Sequence, residues 1–241
     1  MVRAAPMSAS QNNMALDQGS VDLTGGPVWH LRAIWRRAHI WKPFRKNIED
    51  FLNAWPVRAR ELVLIGPSAG WCLPEKFLRG FSVIHAMDPD PFAAILFRFN
   101  HPQARLGSWQ RGDFFSDGDA FLAAHPGAAV LFCNMLGQRR YVNRDIVSVE
   151  EELRAIKSRV RGRDWASFHD LLSGQGDAQA GVFDLKTAPD QATLVSSLHL
   201  SGEWLDHLTG DIFARSQPRQ IIPWQFAPGR IHLVEAGYVS A

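Results

Sequence analysis

The sequence predicts an α/β protein: a mostly parallel sheet with helices on both faces, an antiparallel C-terminal hairpin, and a helical segment ahead of the first strand. Three patterns carry that expectation. From Arg60 onward, short apolar runs alternate with helical stretches, which implies parallel strands joined by crossovers. Near the end, residues 219–226 and 230–239 are strand-like runs joined only by Ala227-Pro228-Gly229, and so short a connection requires a hairpin. Before Arg60, Leu31, Ile34, Trp35, Ala38 and Trp41 recur at three- and four-residue steps, the period of a helix.

Taken in order, residues 1–28 are rich in Ser, Ala, Asn, Gln and Gly without periodicity and are expected to form a disordered tail. Residues 29–59 are expected to form a basic helical cap, divided into two helices at Pro43, with Phe44, Ile48, Phe51, Leu52 and Trp55 as the second buried stripe. Residues 60–241 follow as the main domain. Residues 62–65 read as the first strand, 74–79 as a brief helix, and 82–87 as the second strand, ending at Asp88-Pro89-Asp90-Pro91. A helix over 92–99 and a strand near 104–109 precede Gly112-Asp113-Phe114-Phe115. A helix over 119–125 leads to a fourth strand over 128–133 and then Asn134. A charged helix over 145–159 leads to a fifth strand over 164–168, ending at His169-Asp170. Residues 171–200 are Gly- and Ala-rich with one strand-like piece over 181–186, and GEWLDHLTG, containing His207, reads as a helix.

Composition bounds the function. With 241 residues, 46% hydrophobic and 21% charged, the chain suits a soluble globular fold. No run is long and apolar enough for a membrane span, and the N-terminus lacks the apolar core of a secretory signal. Two cysteines provide no disulfide framework, so a reducing, cytoplasmic setting is expected. No pair of histidines stands at H-x-x-x-H spacing, and no bound metal is expected. The net charge of +2 conceals a basic stretch: Arg32, Arg36, Arg37, Lys42, Arg45, Lys46, Arg58 and Arg60 face only Glu49 and Asp50 between Trp29 and Arg60. Such a stretch is either a solvated helix face or one that attracts an anionic substrate, a nucleic acid or a membrane surface. No nucleic-acid-reading motif accompanies it.

Residues 61–71, ELVLIGPSAGW, support competing chemistries. Gly66-Pro67-Ser68-Ala69-Gly70 matches the G-x-S-x-G elbow of a serine hydrolase, with Ser68 as nucleophile. That reading requires a long helix at once, yet Pro74 intervenes, and it requires an upstream oxyanion strand that the chain lacks. A G-x-G-x-x-G dinucleotide turn fails because Ser68 and Trp71 occupy glycine positions. A turn in which Gly66 and Gly70 let the backbone approach a cofactor remains.

The order LVLIGPSAG, VIHAMDPDP, QRGDFF and VLFCNMLG, closed by the hairpin IIPWQFAPGRIHLVEAGYV, resembles a class I S-adenosylmethionine-dependent methyltransferase from Arg60 to the C-terminus. The resemblance implies a Rossmann-like fold and S-adenosylmethionine as cofactor. It implies that Gly66, Pro67, Ser68 and Gly70 form the cofactor turn and that Asp88 holds the ribose hydroxyls. Asp113 would take the adenine amino group, with Phe114 against the base face. Asn134 would stand where donor and acceptor meet, and His169 with Asp170 would supply a general base. The acceptor would be a small or anionic molecule. Three positions depart from the family pattern: Leu64 replaces an acid, Ser68 a glycine, and Asn134-Met135-Leu136-Gly137 the usual Asn/Asp-Pro-Pro-aromatic motif. Those departures also suit a methyltransferase-like protein kept for binding alone. Trp35, Trp41 and Trp71 could line an acceptor pocket or belong to the core, and Cys72 and Cys133 could neighbour each other beneath the cofactor or be small buried residues.

Overall fold

Two helices precede the first strand in the computed structural model, which describes residues 25–176, 183–184, 204–214 and 216–241. Helix α1 (Gly26–Ala38) and α2 (Lys42–Ala54) each carry proline in the first turn, Pro27 and Pro43, where a missing N–H costs nothing. Strand β1 (Glu61–Ile65) leads through the Gly66–Gly70 turn to the short helix α3 (Glu75–Leu78). There follow β2 (Val83–Met87), α4 (Ala93–Asn100), β3 (Leu106–Gln110), α5 (Phe114–Ala124) and β4 (Ala129–Cys133). The chain continues through α6 (Arg139–Val142), α7 (Ile146–Arg159), β5 (Trp165–Gln175), β6 (Phe183–Asp184), β7 (Trp204–Asp206), β8 (Arg219–Ala227) and β9 (Arg230–Val239).

The sheet order is β3-β2-β1-β4-β5-β9-β8-β6, with β7 paired to β5 outside that path. Strands β1 to β5 run parallel, whereas β9 is antiparallel to both β5 and β8. This is the Rossmann-like architecture, with an antiparallel terminal hairpin, that the resemblance implies. The order reverses between β1 and β4, which opens a crevice at the carboxyl ends of those strands.

Strand alternation divides the interior in two. Leu62 and Leu64 of β1 face a core shared with α1, α2 and the hairpin, while Val63 and Ile65 face a second core beneath α5 and α7. The first core holds Trp41, Phe44, Ile48 and Leu52 against Trp224, Phe226 and Val234. Phe44 stacks on Trp224 at 4.5 Å, and Trp41 meets the same ring edge-on at 5.1 Å. Burying each such side chain contributes roughly 1.5–3 kcal/mol, so the basic segment is joined to the sheet by its apolar stripe. Of its charged positions Arg32, Lys42 and Lys46 are exposed, whereas Arg36 and Arg37 lie over Phe226 and Trp71.

Several elements differ from the sequence expectation. The fifth strand runs to Gln175 rather than ending at Phe168, because β9 and β7 pair with its second half. His169 and Asp170 are therefore mid-strand. The helix expected at residue 119 begins at Phe114, capped by the Asp113 carboxylate accepting from the Phe115 amide at 3.2 Å. GEWLDHLTG is no helix among its described residues: Trp204–Asp206 pairs with β5, and His207 follows in a turn. Of the strand-like piece at 181–186, residues 183–184 pair with β8. Of the tail expected over 1–28, residues 26–28 instead open α1, where Pro27 suits the first turn, and residues 1–24 lie outside the described residues.

Candidate functional site

At the switch point lies a cavity of about 370 Å³. Gly66, Pro67, Ser68, Asp88, Asp113, Phe114 and Asn134 line it, as do Cys72 and Cys133. Gly70, His169 and Asp170 do not. The polar side is set by the ends of β1 and β2. Asp88 is 5% exposed, and its carboxylate accepts the Ser68 amide at 2.7 Å and the Asp90 amide at 2.9 Å. Part of its hydrogen-bonding capacity is therefore already taken by the backbone. Burial pushes its pKa up to about 6, partly offset by those two backbone donors, so it is ionised at neutral pH. A carboxylate has about four acceptor positions, which leaves roughly two for a ligand.

The turn that carries Ser68 is strained by design. Gly66, Ser68 and Gly70 all have positive φ, at 66°, 50° and 69°. A Cβ on Gly66 would lie 2.5 Å from that of Met135, and one on Gly70 would lie 2.4 Å from Nε2 of His101. Both glycines are needed for protein packing, before any ligand is considered. Ser68 has the left-handed geometry of a hydrolase elbow but not its chemistry. Its hydroxyl faces Trp29 Nε1 at 3.4 Å. The neighbouring His30 is spent: Trp71 Nε1–H donates to Nδ1 at 3.1 Å, so Nε2–H donates to Asp90 at 3.1 Å. Burial lowers the His30 pKa against the pull of Asp90, keeping the ring neutral. Neither nitrogen of this imidazole is left to take a serine proton, and the hydrolase reading finds no support in it.

These same contacts hold α1 over the turn. Asp90 also accepts the Gly26 amide at 2.8 Å, and the Arg37 guanidinium lies 4.8 Å above the Trp71 ring. None of the basic side chains of residues 29–60 lines the cavity. The lining cation, Arg139, bonds Glu152 through two nitrogens and approaches Asp113 at 3.6 Å. Asp113, beyond its capping role, stands at the rim with its side chain 45% exposed. Phe114 is buried edge-on against Phe132 at 5.1 Å.

At the end of β4, Asn134 has φ 53° and its amide N–H donates to the Phe168 carbonyl at 2.7 Å. Its side-chain nitrogen turns toward Asp170 at 3.4 Å, while its side-chain oxygen is buried without a partner. Asp170 is fully buried. It accepts from Gln138 at 3.1 Å and meets His232 Nδ1 at 2.9 Å. Burial alone would raise its pKa, but His232, His207 and Asn134 outweigh that and hold it below the usual carboxylate range. A carboxylate so committed is a poor base. It orients Asn134.

His169 is a correction in full. Strand alternation sends Phe168 to the cavity and His169 to the opposite face, where Ser167 and Glu235 bond its nitrogens at 2.8 and 3.3 Å and Phe213 stacks on it at 5.8 Å. The general base expected from His169-Asp170 is absent from this cavity.

Sequence reading passed over Trp29, Trp224, Phe168, Gln138 and Arg139 as lining residues. Trp41 and Trp71 do line the cavity, but Trp35 is 59% exposed on the outer face of α1. Trp41 leaves the face that Trp35 occupies because α1 ends at Ala38 and the chain turns before α2. Nothing local marks Trp224, which reaches the site through the hairpin. Cys72 and Cys133 both face the cavity with thiols that burial pushes up, Cys72 to about 12. Among the described residues no group of His, Cys, Asp and Glu is arranged to hold a metal ion, and no helix is long and apolar enough to cross a membrane.

No family model and no curated protein matches the chain. Among solved structures, N-methyltransferase NodS from Bradyrhizobium japonicum WM9, in complex with S-adenosyl-L-homocysteine, is 13% identical with TM-score 0.49, covering 94% of this chain and 98% of that one. An RNA methyltransferase from Salinibacter ruber, also with S-adenosyl-L-homocysteine, is 18% identical with TM-score 0.36, over 52% of this chain and 76% of that one.

Proposed function

We propose that this chain is an S-adenosylmethionine-dependent methyltransferase. One observation supports it above the others: Asp88, nearly fully buried yet ionised at neutral pH, stands in the cavity wall at the carboxyl end of β2, beside the sheet's switch point. A buried carboxylate kept charged is costly unless a ligand uses it, and a vicinal diol suits its remaining acceptor positions.

In this reading Asp88 holds the ribose hydroxyls, and Asp113 with Phe114 borders the adenine end. The turn Gly66-Pro67-Ser68 borders the aminoacid portion, with Gly70 shaping that turn from behind. When bound, the cofactor supplies an electrophilic methyl group on a sulfonium. The protein's task is to hold the acceptor in line with it and exclude water, which is where proximity gains its effect. Asn134, at the end of β4 and fixed by Asp170, stands at the boundary between the two ligands.

Calorimetry with S-adenosylmethionine and S-adenosylhomocysteine tests the reading. Binding is expected in the native protein and about 10- to 100-fold weaker in Asp88→Asn, the loss of one or two hydrogen bonds to a charged group. No heat of binding at about millimolar ligand would refute it. The rival reading is a methyltransferase-like fold kept for binding alone, which the departures at Leu64 and at Asn134-Met135-Leu136-Gly137 suit. It predicts cofactor binding without any methylated product.

A further inference from the structure

We propose that the acceptor is an uncharged amine carried on a flat aromatic body, and that the tryptophan wall stabilises positive charge as it forms on that nitrogen. The inference rests on the methyltransferase reading and names its substrate class.

The cavity lining combines two kinds of group. Its carboxylates, Asp88 and Asp113, follow β2 and β3. At the Asn134 end stands Phe168, whose carbonyl accepts the Asn134 amide, and much of the remaining lining is aromatic: Trp29, Trp41, Trp71 and Trp224. These rings are locked by one another, with Trp29 and Trp41 5.6 Å apart and Trp41 and Trp224 5.1 Å apart. Pre-set rings of this kind take a planar, apolar body without losing rotamer freedom.

Charge decides which nucleophile the body carries. A hydroxyl or thiol must lose its proton to attack, yet no base is available at this end among the described residues. Cys72 and Cys133 stay protonated, and the Asp170 carboxylate is taken up by His232, Gln138 and Asn134. A carboxylate acceptor would bury its charge against indole rings, and the lining cation Arg139 is already paired with Glu152 and Asp113. A neutral amine needs neither base nor counter-ion. Its lone pair forms the new N–C bond while the C–S bonding pair returns to sulfur. The positive charge passes from sulfur to nitrogen, and the nitrogen's proton leaves to water afterwards. Throughout, the cation faces ring quadrupoles, which attract it strongly where water is excluded.

Two unsatisfied atoms fit this acceptor. The Asn134 side-chain oxygen is buried without a partner, and its amide is turned by Asp170 so that the oxygen, not the nitrogen, is left over. An amine N–H can donate to it, which aims the lone pair away from Asn134. The Trp224 indole N–H, on a residue that lines the same cavity, is likewise buried without a partner among the described residues. An unpaired buried donor and acceptor in one cavity lining are costly unless a ligand completes them.

The test uses four naphthalenes that differ in one substituent: amino, hydroxyl, carboxylate and trimethylammonium. Each is titrated calorimetrically into the native protein saturated with S-adenosylhomocysteine. The amino and trimethylammonium compounds are expected to bind at least about tenfold tighter than the carboxylate. With S-adenosylmethionine, mass spectrometry is expected to find methylation of the amine and none of the naphthol. Trp29→Leu, at a residue on α1 rather than in the sheet, should weaken the trimethylammonium compound about tenfold and the neutral amine about threefold or less. Equal or tighter binding of the carboxylate, or methylation of the naphthol over the amine, would overturn the proposal. If S-adenosylhomocysteine binds but none of the four does, this inference fails alone. If S-adenosylhomocysteine does not bind, the methyltransferase reading fails and takes it along.

Discussion

Replacing Asp88 by asparagine should change stability in a manner that depends on pH. The wild-type carboxyl has its pKa raised from 3.8 to about 6 by burial. Between those values the native state binds more protons than the unfolded chain, so native stability falls as pH rises through them. The shift of roughly two units corresponds to about 3 kcal/mol lost by the time pH exceeds the native pKa. About 2 kcal/mol of this falls between pH about 4.5 and about 7.5. The variant has no such ionisation, but its amide nitrogen cannot accept, so the N–H of Ser68 or Asp90 goes unpaired at a cost of about 1–3 kcal/mol at every pH. Asp88→Asn should therefore be less stable than wild type at the lower pH and close to it at the higher. Urea unfolding of both proteins at the two pH values measures this directly. A stability difference that stays constant within about 0.5 kcal/mol would refute the assigned ionisation, and with it the argument that the fold maintains a costly buried charge for a ligand.

Ligand binding should follow the same group: S-adenosylhomocysteine affinity falls below pH about 6, by at most tenfold per pH unit as one proton is taken up, and a pH-independent Kd between 5 and 8 would contradict it. Asp170→Ala leaves His232, Gln138 and Asn134 without their shared acceptor, so it should cost about 3–5 kcal/mol in chemical denaturation. Gly66→Ala, at φ 66° and against Met135, should lower stability by about 1–3 kcal/mol, and adding Met135→Ala should recover only the part due to contact. Ser68 should not label with a fluorophosphonate, and Cys72 and Cys133 should resist a thiol reagent at pH about 8 until the protein unfolds; rapid labelling of either kind in the native protein would contradict the assigned surroundings.

Local pattern was enough for the alternation of elements and for the site's polar side. Periodicity set two helices before the first strand, the second opening at Pro43; a three-residue connection required the hairpin, and the second strand's end placed Asp88. Each depends on contacts close in sequence or on covalent geometry, which a single chain displays. The resemblance placed Asn134 at the cleft but could not say which of its side-chain atoms would be free.

What only tertiary structure decided is which face each side chain takes and who its partners are. His169 and Asp170 are adjacent in sequence, and alternation along β5 sends them to opposite sides of the sheet, one to the second core and one behind Asn134. The length of β5 depended on β9 and β7, strands distant in the chain. Both glycines of the turn are required by Met135 and His101, residues far along the sequence. The aromatic wall joins Trp29 of α1, Phe168 of β5 and Trp224 of β8. The amino-acid order determined that a sheet of this topology would form and where its strands would end. Long-range packing decided that the cavity at its switch point would be lined by carboxylates and aromatic rings together, and that His169 would face away from it.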